Sequence, residues 1–98
     1  CGDIRDEHDK AEEIVKETAP GVYECSGRVE VETLRETYHL EIPEDSEYQT
    51  VAGYILYNTG TIPVKGETVI IGDLSFTILH RTSTRLELIR IEPAPKQD

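Results

Sequence analysis

Between residues 66 and 91 the chain carries three dense runs of β-branched and aliphatic residues, and this stretch restricts the fold more than any other. The runs Thr68–Ile71, Leu74–Arg81 and 85–91 are separated by Gly72-Asp73 and by Thr82-Ser83-Thr84. Side chains branched at Cβ suit a pleated, half-buried surface, and short polar or glycine-containing breaks between such runs mark strand reversals. The spacing predicts a three-stranded antiparallel meander. In the last run Leu86 and Leu88 are in one phase while Ile89 and Ile91 are in the other. Strand side chains alternate, so either both faces are covered or a bulge shifts the phase. Pro93 and Pro95 then end the strand and leave a polar tail over 93–98.

Upstream the apolar period lengthens. Residues 47–60 place Val51, Ile55 and the tyrosines 48, 54 and 57 at helical intervals, with Thr50 or Ser46 as caps and Gly60 as terminator. Gly53, inside this helix, costs about 1 kcal/mol relative to alanine, which points to a close approach there. Leu34 and Tyr38, at i and i+4, indicate a short helix over 32–38. Val22–Cys25 and residues 28–31 flank Ser26-Gly27, which reads as a hairpin or as a strand running directly into a helix. Ile4, Ala11, Ile14 and Val15 fit one narrow helical face, predicting a surface helix from about residue 6 until Ala19-Pro20-Gly21 stops it. The fold class is α+β: an antiparallel sheet with two or three helices packed on one face. The chain divides into a linker with its helix over 1–17, a globular domain over 18–92, and the tail.

At 98 residues the chain is one domain, and 20 acidic against 10 basic side chains give it a formal charge of -10. Nucleic acid and anionic lipid both rely on Lys and Arg, so neither is an expected partner. No apolar run approaches the roughly 20 residues that span a bilayer, and no signal-peptide core is present, so the chain as given is expected to be soluble. Cys25 reads as a small core residue. A chain opening on Cys1 without Met reads as part of a longer protein; a lipid-anchored protein beginning at Cys1 is the alternative.

Several segments together resemble a known family. Gly2-Asp3-Ile4-Arg5-Asp6-Glu7-His8-Asp9 is similar to the run that closes the CBS pair of CorC/HlyC-type membrane proteins. Tyr23 to Val31, with Ser26-Gly27-Arg28, resembles the segment leading into that family's next helix. Tyr48-Gln49-Thr50-Val51-Ala52-Gly53-Tyr54-Ile55 resembles its Y-x-T-[LV]-[AG]-G-[FY]-[IL] helix, and Gly60-Thr61-Ile62-Pro63 and Gly66-Glu67 its following turns. Phe76-Thr77-Ile78-Leu79 and Leu86-Glu87-Leu88-Ile89-Arg90-Ile91 complete the pattern over nearly the whole chain.

The resemblance implies the C-terminal, transporter-associated domain of a haemolysin-like, magnesium-cobalt efflux or gliding-motility-associated membrane protein. It implies a fold like part of the FAD-linked oxidase domains and a place at the cytoplasmic face of the bacterial inner membrane. The implied partners are the CBS and transmembrane regions of the same full-length chain, and a homodimer is compatible with it. The implied role is to modulate transport without catalysis.

The acidic opening is the strongest candidate site. Asp6, His8, Asp9 and Glu12 concentrate ligand atoms, with His8 and Glu12 on one helical face at i, i+4, and clustered carboxylates suit a hard cation such as Mg²⁺. No EF-hand or zinc-type spacing accompanies them, and the plainer reading is a solvated helix start. The expected metal and catalytic sets are therefore empty, with a divalent-cation sensor as the second functional reading. His8, His39 and His80 lie apart, no nucleophile elbow surrounds Ser26, Ser46, Ser75 or Ser83, and no glycine-rich phosphate loop occurs. No flavin or other cofactor is expected despite the implied fold. Tyr54 is expected in the core; Tyr48 and Tyr57 are left between core and surface.

Overall fold

The turn at Gly72-Asp73 sets the geometry of the C-terminal half. In the computed structural model, which describes residues 15–95, Gly72 adopts φ 60° while Asp73 does not share the positive φ. Glycine first in a two-residue loop gives the II′ reversal whose twist matches that of paired strands. Strands β3 (Thr68–Ile71) and β4 (Leu74–Arg81) therefore close directly on one another, with Ile71 opposite Leu74. Strand β5 (Leu86–Pro93) returns along β4 and completes the meander read from the sequence.

The phase conflict in β5 is resolved by a bulge. Ile78 lies opposite Ile89, but the next pairs are His80 with Leu88 and Arg81 with Leu86, so Leu79 and Glu87 are left out of register. That slip lets Leu86, Ile89 and Ile91 all turn inward at 2% exposure or less, while Leu88 stays 37% exposed.

Two further strands lie on the other side of β5. β1 (Val15–Ala19) and β2 (Val22–Cys25) join across Pro20-Gly21, where Gly21 takes φ 79°, and the sheet order is β1-β2-β5-β4-β3, antiparallel throughout. The sequence predicted helix through Thr18, and over Val15–Ala19 this is corrected to strand. Ile14-Val15 satisfies either period, and the backbone partners that β2 supplies decide in favour of extension. The remainder of the expected helix, over residues 6–14, lies outside the described residues. Residues 28–31 do not pair back onto β2, so the strand-into-helix alternative holds. Helix α1 (Val31–Tyr38) follows directly. Residues 27–31 bond instead with 49–52: Val31 N–H donates to the Gln49 carbonyl at 2.9 Å and Val51 N–H to the Val29 carbonyl at 2.9 Å.

Helix α2 (Val51–Thr59) starts a turn later than the sequence pattern indicates. Thr50 caps it, its hydroxyl accepting from Gly53 N–H at 3.1 Å, and Gly60 closes it at φ 84°. Both helices cover one sheet face. Directly opposed residues share a face, so Cys25, Ile89 and Ile78 form one inward row and Tyr23, Ile91 and Phe76 the next. Leu34, Val51, Tyr54 and Ile55 pack down on these rows, with the Tyr54 and Phe76 rings edge to face at 5.8 Å. The opposite face presents the polar row Lys16, Glu24, Arg90, Thr77 and Thr68.

Candidate functional site

One concave surface lies where α1 ends. His39 caps the helix in the left-handed conformation (φ 59°), its N–H donating to the Leu34 carbonyl. The chain then doubles back, and Arg35 reaches across it: Nη1 donates to the Ile42 carbonyl at 2.8 Å and Nε lies 3.5 Å from Glu44. That ion pair is exposed and worth well under about 1 kcal/mol; the bond to a backbone carbonyl is what fixes the loop. Arg35, His39, Leu40, Glu41 and Pro43 line an open concavity of about 470 Å³. Beside it Val31, Glu32, Glu44, Asp45, Tyr48 and Gln49 line a smaller cleft of about 170 Å³.

Tyr48 joins this surface to α2. Its hydroxyl donates to the Pro43 carbonyl, and its ring lies 5.0 Å from that of Tyr54 and 5.4 Å from that of Tyr57. Desolvation first, then the Asp45 carboxylate and Tyr57, raise the Tyr48 pKa, with Arg35 opposing them. Tyr54 is buried as expected, Tyr57 is 57% exposed, and Tyr48 is half-buried between them.

The residues with reactive side chains are dispersed. Cys25 is buried beneath the helices, and burial pushes its thiol up to about 12, which keeps it a neutral packing group near pH 7. Ser26 accepts from Arg28 N–H within its turn, Ser75 is buried within β4, and His39 and His80 are exposed. Asp6, His8, Asp9 and Glu12 lie outside the described residues. Among the described residues, no three His, Cys, Asp or Glu side chains gather where they could hold a metal ion. No helix among them is long and apolar enough to cross a membrane.

Two loop-fixing arginines escaped the sequence. Besides Arg35, Arg81 donates from Nη1 to the carbonyls of Ile62 and Pro63 at 3.1 and 3.0 Å, and from Nε to Thr82 at 2.9 Å. Arg35 reaches a carbonyl seven residues on and Arg81 reaches carbonyls 18 and 19 residues back, and no local pattern signals such a reach.

Fold and surface together define a small α+β module, a five-stranded antiparallel sheet with helices on one face and open, shallow relief. Residues 16–95 match the transporter associated domain of CorC/HlyC type, and the chain belongs to that family. Hemolysin C of Brachyspira hyodysenteriae is 30% identical over 97 residues, which is 99% of this chain and 36% of that protein. Among solved structures, the putative Mg²⁺ and Co²⁺ transporter (CorC) associated region of Neisseria meningitidis MC58 superposes with TM-score 0.74 at 24% identity, covering 82% of this chain and 98% of the other. A transporter associated domain from a Xylella fastidiosa hemolysin, solved in complex with Mg²⁺ and Mn²⁺, gives TM-score 0.68 at 21% identity over 83% and 98% of the two chains. The chain spans about a third of the length of that hemolysin C and about a tenth of the related Buchnera aphidicola protein.

Proposed function

We infer that the chain is the accessory module through which a longer bacterial membrane protein adjusts divalent-cation transport, docked on its own CBS region at the cytoplasmic face of the inner membrane. Proportion carries this reading: the family domain fills most of the chain, whereas the chain fills only 36% of the Brachyspira hemolysin C and 16% of the Escherichia coli protein YegH. The naming of the Neisseria region after Mg²⁺ and Co²⁺ transport supports the choice of cargo. Shallow relief and paired polar groups suit contact with another protein surface, without catalysis and without a flavin. The test is cation efflux from cells expressing the full-length parent with and without residues 15–95. Deletion should change the efflux rate at a given internal Mg²⁺ or Co²⁺ level while the amount of parent in the membrane stays constant. Equal efflux from both would end the proposal.

A second reading, direct cation sensing, is favoured by the Mg²⁺ and Mn²⁺ bound to the Xylella domain. Its ligands would come from Asp6, His8, Asp9 and Glu12. A ligand present at 100 times its dissociation constant stabilises the folded state by about 2.7 kcal/mol. Melts with Mg²⁺, Co²⁺ and Ca²⁺ should then show a metal-specific rise that Asp6→Ala combined with Asp9→Ala removes. Identical melts with and without metal dispose of the sensor.

A further inference from the structure

The core ends one strand short of the sheet's β1 edge. Directly opposed residues share a face, so the inward row Phe76, Ile91 and Tyr23 continues on β1 at Glu17. Glu17 is exposed there, and its carboxylate accepts from Gly21 N–H at 3.3 Å, in the turn that follows. Of the five residues of β1 only Val15 packs against the core, and only in part; Lys16 to Ala19 are exposed. Among the described residues β2 is the sole sheet neighbour of β1.

Few backbone bonds hold the strand. Ala94 N–H donates to the Asp73 carbonyl at 2.9 Å, which makes Asp73 and Ala94 a bonded pair. Antiparallel pairs alternate between bonded and non-bonded, so Ser75 with Glu92 and Thr77 with Arg90 are bonded as well. Backbone groups of Arg90 therefore point to β4, and those of Ile89 and Ile91 point to β2, where they bond Cys25 and Tyr23. Those of Glu24 are left to point to β1, where they bond Lys16. Past this pair the register shifts between Glu17 and Ala19, and the next pair, Ala19 with Val22, merely closes the Pro20-Gly21 turn. β1 thus has one bonded pair beyond its own turn.

We propose that β1 is a detachable strap: Val15–Ala19 leaves β2 as a unit while both helices and strands β2 to β5 keep their structure. Local opening belongs to segments with few buried apolar contacts and few, solvent-exposed backbone bonds, and β1 has one partly buried valine and one bonded pair outside its turn. Detachment leaves the rows Ile78, Ile89, Cys25 and Phe76, Ile91, Tyr23 under the helices that cover them.

Residues 1–14 join the described domain through Val15, so a displacement of that segment meets the Lys16–Glu24 pair before it reaches the core. On the accessory-module reading, this is where movement of a preceding region enters the domain. The strap itself does not depend on that reading, and its experiment uses this chain alone.

Alternate amides of β2 face different neighbours, which supplies the comparison within one strand. Native-state amide exchange in urea below the unfolding transition should find Lys16 and Glu24 protected at least about 100-fold less than Tyr23 and Cys25, with little dependence on urea. Tyr23 and Cys25 should follow global unfolding with its full urea slope. Lys16→Pro removes the donor at the bonded pair and should strip the remaining protection from Glu24. It should lower protection at Tyr23 and Cys25 by no more than the factor by which Glu24 was protected, because closing β1 adds no more than that to the folded state. Exchange at Lys16 and Glu24 in step with Tyr23 and Cys25 overturns the proposal. A loss at Cys25 beyond that factor, or a Lys16→Pro chain that no longer unfolds cooperatively, does so as well, since either makes β1 part of the core unit. Unprotected Lys16 and Glu24 in the parent chain also overturn it, because β1 would then not be closed on β2.

Discussion

At Gly27 a Cβ would overlap the carbonyl oxygen of Leu86 and lie 3.0 Å from the Ala52 Cβ. The obstacle is backbone at the start of β5, which cannot turn aside as a side-chain tip can. Gly53, where the sequence pointed to crowding, is less constrained: its Cβ would meet Tyr48 Cβ at 3.3 Å and Thr50 Oγ1 at 3.4 Å. Overpacking a well-filled site costs about 1–3 kcal/mol, whereas alanine within a helix gains about 1 kcal/mol over glycine. Urea unfolding should place Gly27→Ala about 2 kcal/mol or more below the parent and Gly53→Ala within about 1 kcal/mol of it. Equal losses at the two positions would mean that the Leu86 carbonyl does not set the limit. The identity of these residues was plain in the sequence. Which of them faces a foreign backbone was not, because Leu86 is 59 residues away along the chain.

At the scale of elements, α2 depends on its cap. Thr50 supplies the side-chain acceptor that the sequence offered to either Thr50 or Ser46, while Ser46 sits in a tight turn ahead of the helix, closed by a short bridge between Asp45 and Tyr48. Thr50→Ala should lower stability by about 1 kcal/mol, and Thr50→Ser should recover most of it. If both variants unfold at the same urea concentration, the hydroxyl is not acting as the cap. The three C-terminal strands and both described helices were legible because each has one dominant period and clear terminators. β1 was not. Its Val15, Lys16, Glu17 and Thr18 are compatible with either a helix end or an edge strand, and only pairing with β2 settles which. The bulge in β5 was legible as an alternative, and the placing of Leu79 and Glu87 out of register against one another settled it.

At the scale of the whole molecule, the described residues form a one-sided sandwich around one core, and global stability reports on groups buried in it. Cys25 is raised from 9.0 to about 12 by burial, and burial is also the leading cause of the rise at Tyr54. Above pH 9 the unfolded chain has released a thiol proton that the folded chain retains. The folded state then binds more protons, so stability falls as pH rises. The contribution is intact below about pH 9 and is lost towards pH 12, with a slope of up to about 1.4 kcal/mol per pH unit from the thiol. Urea midpoints between pH 7 and 11 should decline on the alkaline side, and Cys25→Ala should flatten that decline while lowering stability at pH 7. An unchanged alkaline slope in Cys25→Ala would place the thiol in contact with water. What the sequence determined by itself was whatever local pattern can encode: the β-meander, the two described helices, the acidic surface and, through several short motifs in order, the family. Tertiary structure decided which strands became neighbours, that β1 extends the sheet, and where Gly27 and the two arginines meet backbone elsewhere in the chain. Those outcomes depend on groups meeting in space, whether 59 residues apart like Gly27 and Leu86 or seven like Arg35 and Ile42, and no hydrophobic period or turn signal marks such a meeting.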